Sequence, residues 1–212
     1  QTASELLEAA QTARMGIPAT GEQVAIFTPE ARAAALRKLA VESGLRHAAE
    51  RGELGLSYQL QADLTTGEIA GAQVIMNWTS QTLGSVPGHE FLPIAMQTGL
   101  IVMLGDWKRE AVCQQLRAWE QAGVRVPRLC LRISQLELQQ PDMVDKLRQS
   151  LLANGLQAQA LGIEISEQAL FNASPELVKT LNQLRGLGLE ISLGDFGAGA
   201  TNLGLLRTLP VD

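Results

Sequence analysis

The sequence predicts an α/β fold in which parallel strands are covered by helices, and three observations lead to it. Strand-like apolar runs begin at Leu129, Leu161 and Leu189, 32 and 28 residues apart, the length of one strand plus one returning helix. Helix-like stretches, Met143–Ala153 and Pro175–Arg185, lie between them. Ahead of them, Leu56–Asp63 and Glu68–Trp78 are strand-like runs joined through Thr65-Thr66-Gly67, a turn composition whose glycine supplies positive φ and predicts an antiparallel pair. An α/β barrel or a doubly wound sheet satisfies all three.

Taken in order, residues 1–27 open with the helix-like Ser4-Glu5-Leu6-Leu7-Glu8-Ala9-Ala10 and end in Val24-Ala25-Ile26-Phe27, too little chain for a domain. Thr28-Pro29-Glu30 supplies an N-cap, a proline suited to the first helical position and an acid in the first turn. A helix is therefore expected from there to about Arg51, with Leu36, Leu39, Ala40 and Leu45 on roughly one stripe. It reads as a connector, with a dimerisation helix as the alternative. The antiparallel pair follows, then a polar-rich segment containing Pro87, Gly88 and Pro93, then a helix over about Val102–Gln121. The parallel strands Leu129–Ile133, Leu161–Ile165 and Leu189–Leu193, with their helices, complete the chain.

Composition narrows the function. Over 212 residues, 46% hydrophobic and 18% charged side chains describe a globular protein. Seventeen Lys and Arg against 22 Asp and Glu leave a formal charge of −5, so no overall positive field favours DNA. The longest apolar run, Gly99–Gly105, falls far short of the roughly 20 residues of a membrane helix. Gln1-Thr2-Ala3-Ser4-Glu5 lacks the basic start of a secretory signal, and Cys113 and Cys130 form neither a disulfide framework nor a zinc spacing. Reduced, buried thiols and a cytoplasmic setting are expected.

In parallel α/β architectures, functional groups collect at the carboxyl ends of strands. The candidates are Gln73 and Asn77 on the second strand, Arg132 and Ser134 at the third, Glu164 and Glu167 at the fourth, and Asp195 after the fifth.

Seven short motifs, Tyr58-Gln59-Leu60, Gly71-Ala72-Gln73-Val74-Ile75, Phe91-Leu92-Pro93-Ile94-Ala95, Thr98-Gly99-Leu100-Ile101, Ile163-Glu164-Ile165-Ser166-Glu167, Asp195-Phe196-Gly197-Ala198-Gly199 and Leu209-Pro210-Val211-Asp212, in this order and spacing resemble the EAL domain family. The resemblance spans residues 53–212. It implies a modified (β/α)8 TIM-like barrel with one antiparallel strand and an ancestral activity, hydrolysis of cyclic di-GMP with two divalent cations. Residues 1–27 are similar to the end of a GGDEF domain, and 28–52 to the helix joining it to an EAL domain. The family's barrel continues past its Leu-Pro-Val-Asp to a Lys-Ile-Asp strand bearing a general-base lysine, so this chain is expected to stop within the barrel.

Set against the family pattern, the metal positions are altered. The signature Glu-Ala-Leu is Gln73-Val74-Ile75, which keeps an oxygen but loses the charge a hard cation needs. The Asn of Val-Asn-Leu-Ser is Arg132, a permanent cation; two like charges ~4 Å apart repel by about 4 kcal/mol at an effective dielectric of 20. The first Asp of Asp-Asp-Phe-Gly is Gly194. Of the visible metal positions Glu164 is intact, with Asp195 beside it. Metal binding and metal-dependent cleavage are therefore expected to be lost, with no cofactor and no catalytic residue.

Nucleotide binding is a separate matter, because an anionic dinucleotide can be held by donors, apolar walls and one cation. Arg132 supplies that cation. Gln59, Gln73, Ile75, Asn77, Phe91, Leu92, Pro93, Glu164, Asp195, Phe196 and Gly197 complete the expected ligand-binding set, although Asn77 stands where the family's Leu-Leu-Arg-Trp carries a phosphate-binding arginine. The plainer readings are core packing for Phe91 and Leu92, a structural pairing of Glu164 with Arg132, turn geometry for Gly197 and Gly199, surface positions for His47 and His89, and core anchors for Trp78, Trp107 and Trp119. The expected function is a catalytically silent receptor for cyclic di-GMP, similar in kind to FimX-type regulators of type IV pili and twitching motility, relaying to a protein partner such as a PilZ-type adaptor. The alternatives are an interaction module that no longer binds nucleotide and a residual phosphodiesterase.

Overall fold

The computed structural model describes residues 28–124, 128–170, 174–195, 197 and 209–212. The helix and strand expected within 1–27, and Phe196, lie outside the described residues. Helix α1 (Pro29–Leu45) begins where Thr28 Oγ1 accepts from Ala31 N at 3.1 Å, with Pro29 at the first helical position. It ends six residues earlier than the sequence suggests. Beyond Leu45 the chain runs on as tight turns, His47 N to Gly44 O and Ala48 N to Leu45 O, closing at Gly52 with φ +66°. Gly44 explains the close seating, since a Cβ there would lie 3.1 Å from the Trp78 ring. The buried stripe is Val41, Leu45 and Ala48, whereas Leu36 and Leu39 are exposed.

Strands β1 (Leu54–Ala62) and β2 (Ile69–Ser80) form the expected antiparallel pair, in register Gln59↔Gln73 and Gly55↔Asn77. Asp63 shapes the turn by accepting from Thr65 N and Thr66 N at 2.8 Å each, with Gly67 at φ +74°. The short β3 (Gly84–Val86) pairs antiparallel with the end of β2. Helix α2 (Gly88–Thr98) occupies the segment that the sequence reading leaves without an element. Pro87, Gly88 and Pro93 mask its start and its middle, but Phe91, Ile94 and Ala95 follow helical spacing and are buried.

Helix α3 (Leu100–Gln121) crosses behind the sheet to β4 (Arg128–Arg132); α4 (Gln135–Leu138) and α5 (Met143–Asn154) lead to β5 (Leu161–Ser166), and α6 (Glu167–Leu170) and α7 (Pro175–Gly186) lead to β6 (Glu190–Gly194). The described strands make one mixed sheet, ordered β1-β2-β4-β5-β6 with β3 on β2; β2, β4, β5 and β6 are parallel.

Two apolar clusters fill one side of this sheet. One joins β4, β5 and β6 to α3, α5 and α7 through Leu129, Leu131, Ile163, Ile191, Val112, Leu147 and Leu181. The other joins the end of β2 to α1 and α2 through Trp78, Phe91, Val41 and Leu45. Because strand side chains alternate, burying Val74, Met76, Leu129, Leu131, Ile163 and Ile191 against the helices turns Gln73, Ile75, Asn77, Arg132 and Glu164 to the opposite face. That face carries the site. Among the described residues no helix is long and apolar enough to cross a membrane.

Candidate functional site

Glu164 is the centre of the polar face. It sits on β5 opposite Arg132 of β4, is 7% exposed, and accepts a 2.8 Å hydrogen bond from Gln73 Nε2. Gln73 lies on β2, so this bond passes over β4, two strand spacings or roughly 10 Å across the sheet, which two long side chains can span. Arg132 Nε lies 4.0 Å from Glu164 Oε1, and the guanidinium is also paired through Nη2 with Asp195 Oδ2. The four side chains form one chain of contacts, Gln73–Glu164–Arg132–Asp195, drawn from β2, β5, β4 and the residue after β6.

Burial pushes the Glu164 carboxyl above the usual carboxylate range; the Arg132 charge and the Gln73 donor pull it down, and Asp195 pushes it up. Asp195 has φ +56°, a left-handed conformation uncommon for a residue other than glycine and better tolerated by Asp and Asn. Gly197, φ +84°, donates its N–H to Glu167 Oε2 at 2.8 Å. This ties the loop after β6 to the start of α6.

The remaining expected residues divide. Gln59 is exposed on β1 directly across from Gln73. Ile75 is 39% exposed, and Asn77 donates through Nδ2 to Ser57 Oγ at 2.9 Å; with Gln73 they extend the polar face along about 13 Å of β2. Phe91 is not part of the site. It is 0% exposed, edge-on to Trp78 with ring centroids 5.9 Å apart, so its ring offers no face to a base. Leu92 is partly buried against the same cluster, and Pro93 is exposed on α2. Trp78 is a core anchor, whereas Trp107 and Trp119 are half-buried at the edges of the two clusters.

The donor set does not fit a divalent cation. A hard cation needs converging anionic oxygens, but an amide N–H points at Glu164 and a guanidinium stands beside it. Gly194 offers no side chain, and a Cβ there would fall 2.9 Å from Glu164 Cδ and nearer still to Oε1. Among the described residues no three His, Cys, Asp or Glu gather to hold an ion.

Two residues beneath the site escape the sequence reading. Lys108 on α3 donates from Nζ to the Arg132 main-chain oxygen at 2.5 Å. Glu137 on α4 accepts from Ser134 N at 2.8 Å and from Ser134 Oγ at 2.6 Å, while Ser134 Oγ accepts from Glu137 N. The Ser134-x-x-Glu137 spacing is a legible capping box. For Lys108 the signal is its position four residues after Leu104, inside the buried stripe of α3.

Comparison with known proteins adds five findings. The EAL domain family model matches residues 42–212. An uncharacterized signaling protein of Caulobacter vibrioides is 33% identical over 168 residues, 79% of this chain and 20% of that protein. The bifunctional diguanylate cyclase/cyclic di-GMP phosphodiesterase MucR of Pseudomonas aeruginosa is 32% identical over 184 residues, 87% of this chain and 27% of that protein. The chain thus spans between a fifth and about a quarter of the length of these relatives. Among solved structures, the PaMucR phosphodiesterase in its c-di-GMP complex superposes with TM-score 0.75 at 31% identity, covering 82% of this chain and 70% of that one. The Xanthomonas citri FimX EAL domain in complex with c-diGMP gives TM-score 0.71 at 22% identity, covering 83% and 67%, a likeness of fold.

Proposed function

The chain belongs to the EAL domain family of cyclic di-GMP phosphodiesterases, and from that premise we propose that it holds cyclic di-GMP without cleaving it and without a divalent cation, as a receptor. One observation carries this reading: Arg132, half-exposed at the end of β4, places a guanidinium between Glu164 and Asp195, where the family pattern has a neutral amide. A guanidinium has the fork of donors that suits a phosphate oxygen pair. It cannot activate a water molecule as a bound metal does.

Arg132 contacts a phosphate of the dinucleotide, and Asp195 is the partner the phosphate displaces. Gln59, Gln73 and Asn77 offer amide donors and acceptors along β2 and its neighbour, with Ile75 as an apolar floor. Leu92 and Pro93 remain candidate base contacts. Occupancy is relayed to a protein partner, for which a PilZ-type adaptor is our candidate, in the regulation of type IV pili and twitching.

Asn77 supports a second reading, an interaction module that has given up the nucleotide, because it brings an amide bonded to Ser57 in place of a phosphate-binding charge. Incubation with cyclic di-GMP and magnesium or manganese, followed by chromatography of the products, tests the first reading. Intact dinucleotide together with measurable binding in chelator supports the receptor. Linear product would establish an enzyme, and absence of binding would establish the interaction module.

A further inference from the structure

We propose that Lys108 is the positioning residue for Arg132, a buried donor whose task is to fix the strand end from which the guanidinium reaches the phosphate. The proposal rests on the receptor reading and deepens it. Lys108 lies in the buried stripe of α3, between Gly105 and Val112, and is 7% exposed. A buried ammonium is costly to desolvate, so it persists only where it is paired. Its hydrogen bond goes to the main-chain oxygen of Arg132 and to no side chain of the site.

The next two backbone groups are also held. Ile133 N donates to Glu164 O at 2.9 Å, and Ser134 N donates to Glu137 Oε2 at 2.8 Å. Burial pushes the Lys108 ammonium below its ordinary value, while Glu137, 6% exposed, supplies an opposite charge that counters this and the Arg132 charge adds to it. Glu137 fits because Gly105 has no side chain: a Cβ there would lie 2.7 Å from Glu137 Cδ. Gly105, Lys108 and Glu137 therefore form one lock, a single turn of α3 gripping the β4–α4 corner.

In that lock Lys108 alone touches the Arg132 backbone. Fixing this carbonyl fixes the peptide plane after Arg132, and with it the direction in which the side chain leaves the strand. Asp106, Asp142 and Lys146 line the same cleft but pair with one another and with Arg109. They make the matched comparison.

The test uses the full-length protein and two readouts. In the first, ligand-free wild type, Lys108→Met and Lys146→Met are labelled with the arginine reagent phenylglyoxal, and modification of Arg132 is followed by peptide mass spectrometry relative to the exposed Arg148. Lys108→Met is expected to speed labelling of Arg132 severalfold while Lys146→Met leaves it unchanged. In the second, cyclic di-GMP affinity is measured for Lys108→Met, Arg132→Ala and the double variant. The single lysine change is expected to weaken binding about tenfold and to have no further effect once Arg132 is gone, the signature of a residue acting through another. Equal labelling in all three proteins, or the same loss of affinity with and without Arg132, would overturn the proposal. If Lys108→Met does not fold, Lys108→Arg, which keeps the charge but alters its reach, is read by the same criteria. Should wild type bind no cyclic di-GMP, the receptor reading falls while the labelling still decides the role of Lys108.

Discussion

Arg132 and Asp195 are joined by an ion pair that spans the carboxyl end of the sheet, from the last residue of β4 to the first residue after β6. The pair is about half-exposed on both sides, so its strength is modest and an incoming anion can compete with it. On the proposed receptor reading, Asp195 holds the guanidinium in the site until a phosphate takes its place.

Asp195→Asn is therefore expected to strengthen cyclic di-GMP binding, by about two- to fivefold, the equivalent of ~0.5–1 kcal/mol for an exposed pair. Asparagine tolerates the left-handed backbone at this position, so the change isolates the charge. Calorimetric titration checks it, and weaker binding would make Asp195 a direct ligand contact.

Gly194→Asp alone is expected to destabilise the fold without creating a metal site. Its Cβ would press on Glu164, whose carboxylate is already engaged by Gln73 and faced by Arg132. Thermal melts with and without manganese check this. A metal-dependent rise in Tm is expected only when Gly194→Asp is combined with Gln73→Glu and Arg132→Asn, which replace the amide and the guanidinium.

Glu164 ties stability to pH. Its carboxyl is held above the ordinary value chiefly by burial, so the folded state binds the proton more tightly than the unfolded chain. The stability this brings is fully present below the unfolded pKa and is lost as pH rises through the folded one. The Tm of Glu164→Gln relative to wild type should thus climb as pH is raised from about 4 to 7, the window above the ordinary carboxylate value. A difference independent of pH would contradict it.

The seat of Trp78 makes a separate prediction. Its indole N–H donates to Glu53 Oε2 at 2.9 Å, and Gln81 N donates to Glu53 Oε1 at 3.0 Å. Those bonds hold the Glu53 carboxyl below its ordinary value. Glu53→Ala leaves the buried indole N–H without its acceptor and is expected to cost about 1–3 kcal/mol in denaturant unfolding. In wild type, the Glu53 contribution is present above the unfolded carboxylate pKa and disappears as pH falls through the folded value.

Much of this architecture was legible in the sequence because it depends on short-range signals. The turn glycine at Gly67 and the runs on either side announced the β1–β2 pair, and the regular return of apolar runs announced the parallel strands. Gln73 and Asn77 stood out as polar residues in an apolar strand, whereas the facing of Ile75 was not legible because Val74, Ile75 and Met76 form a continuous apolar run. Helix α2 was hidden because Pro93 argues against a helix locally, while its apolar face is satisfied by packing on α1, α3 and β2. The direction of Phe91 was hidden for the same reason: a motif fixes a residue's neighbours in sequence, not which side of the helix meets the core. Lys108 was hidden because its partner is a backbone oxygen 24 residues away.

The most direct test of the central claim is the affinity of wild type and Arg132→Ala for cyclic di-GMP, titrated in the presence of chelator and again in magnesium. The account predicts binding by wild type that is indifferent to magnesium, and a loss of about tenfold or more on removing the guanidinium, as for a charge-assisted phosphate contact of 1.5–3 kcal/mol. Equal affinity of the two proteins, or binding that appears only with magnesium, would contradict it.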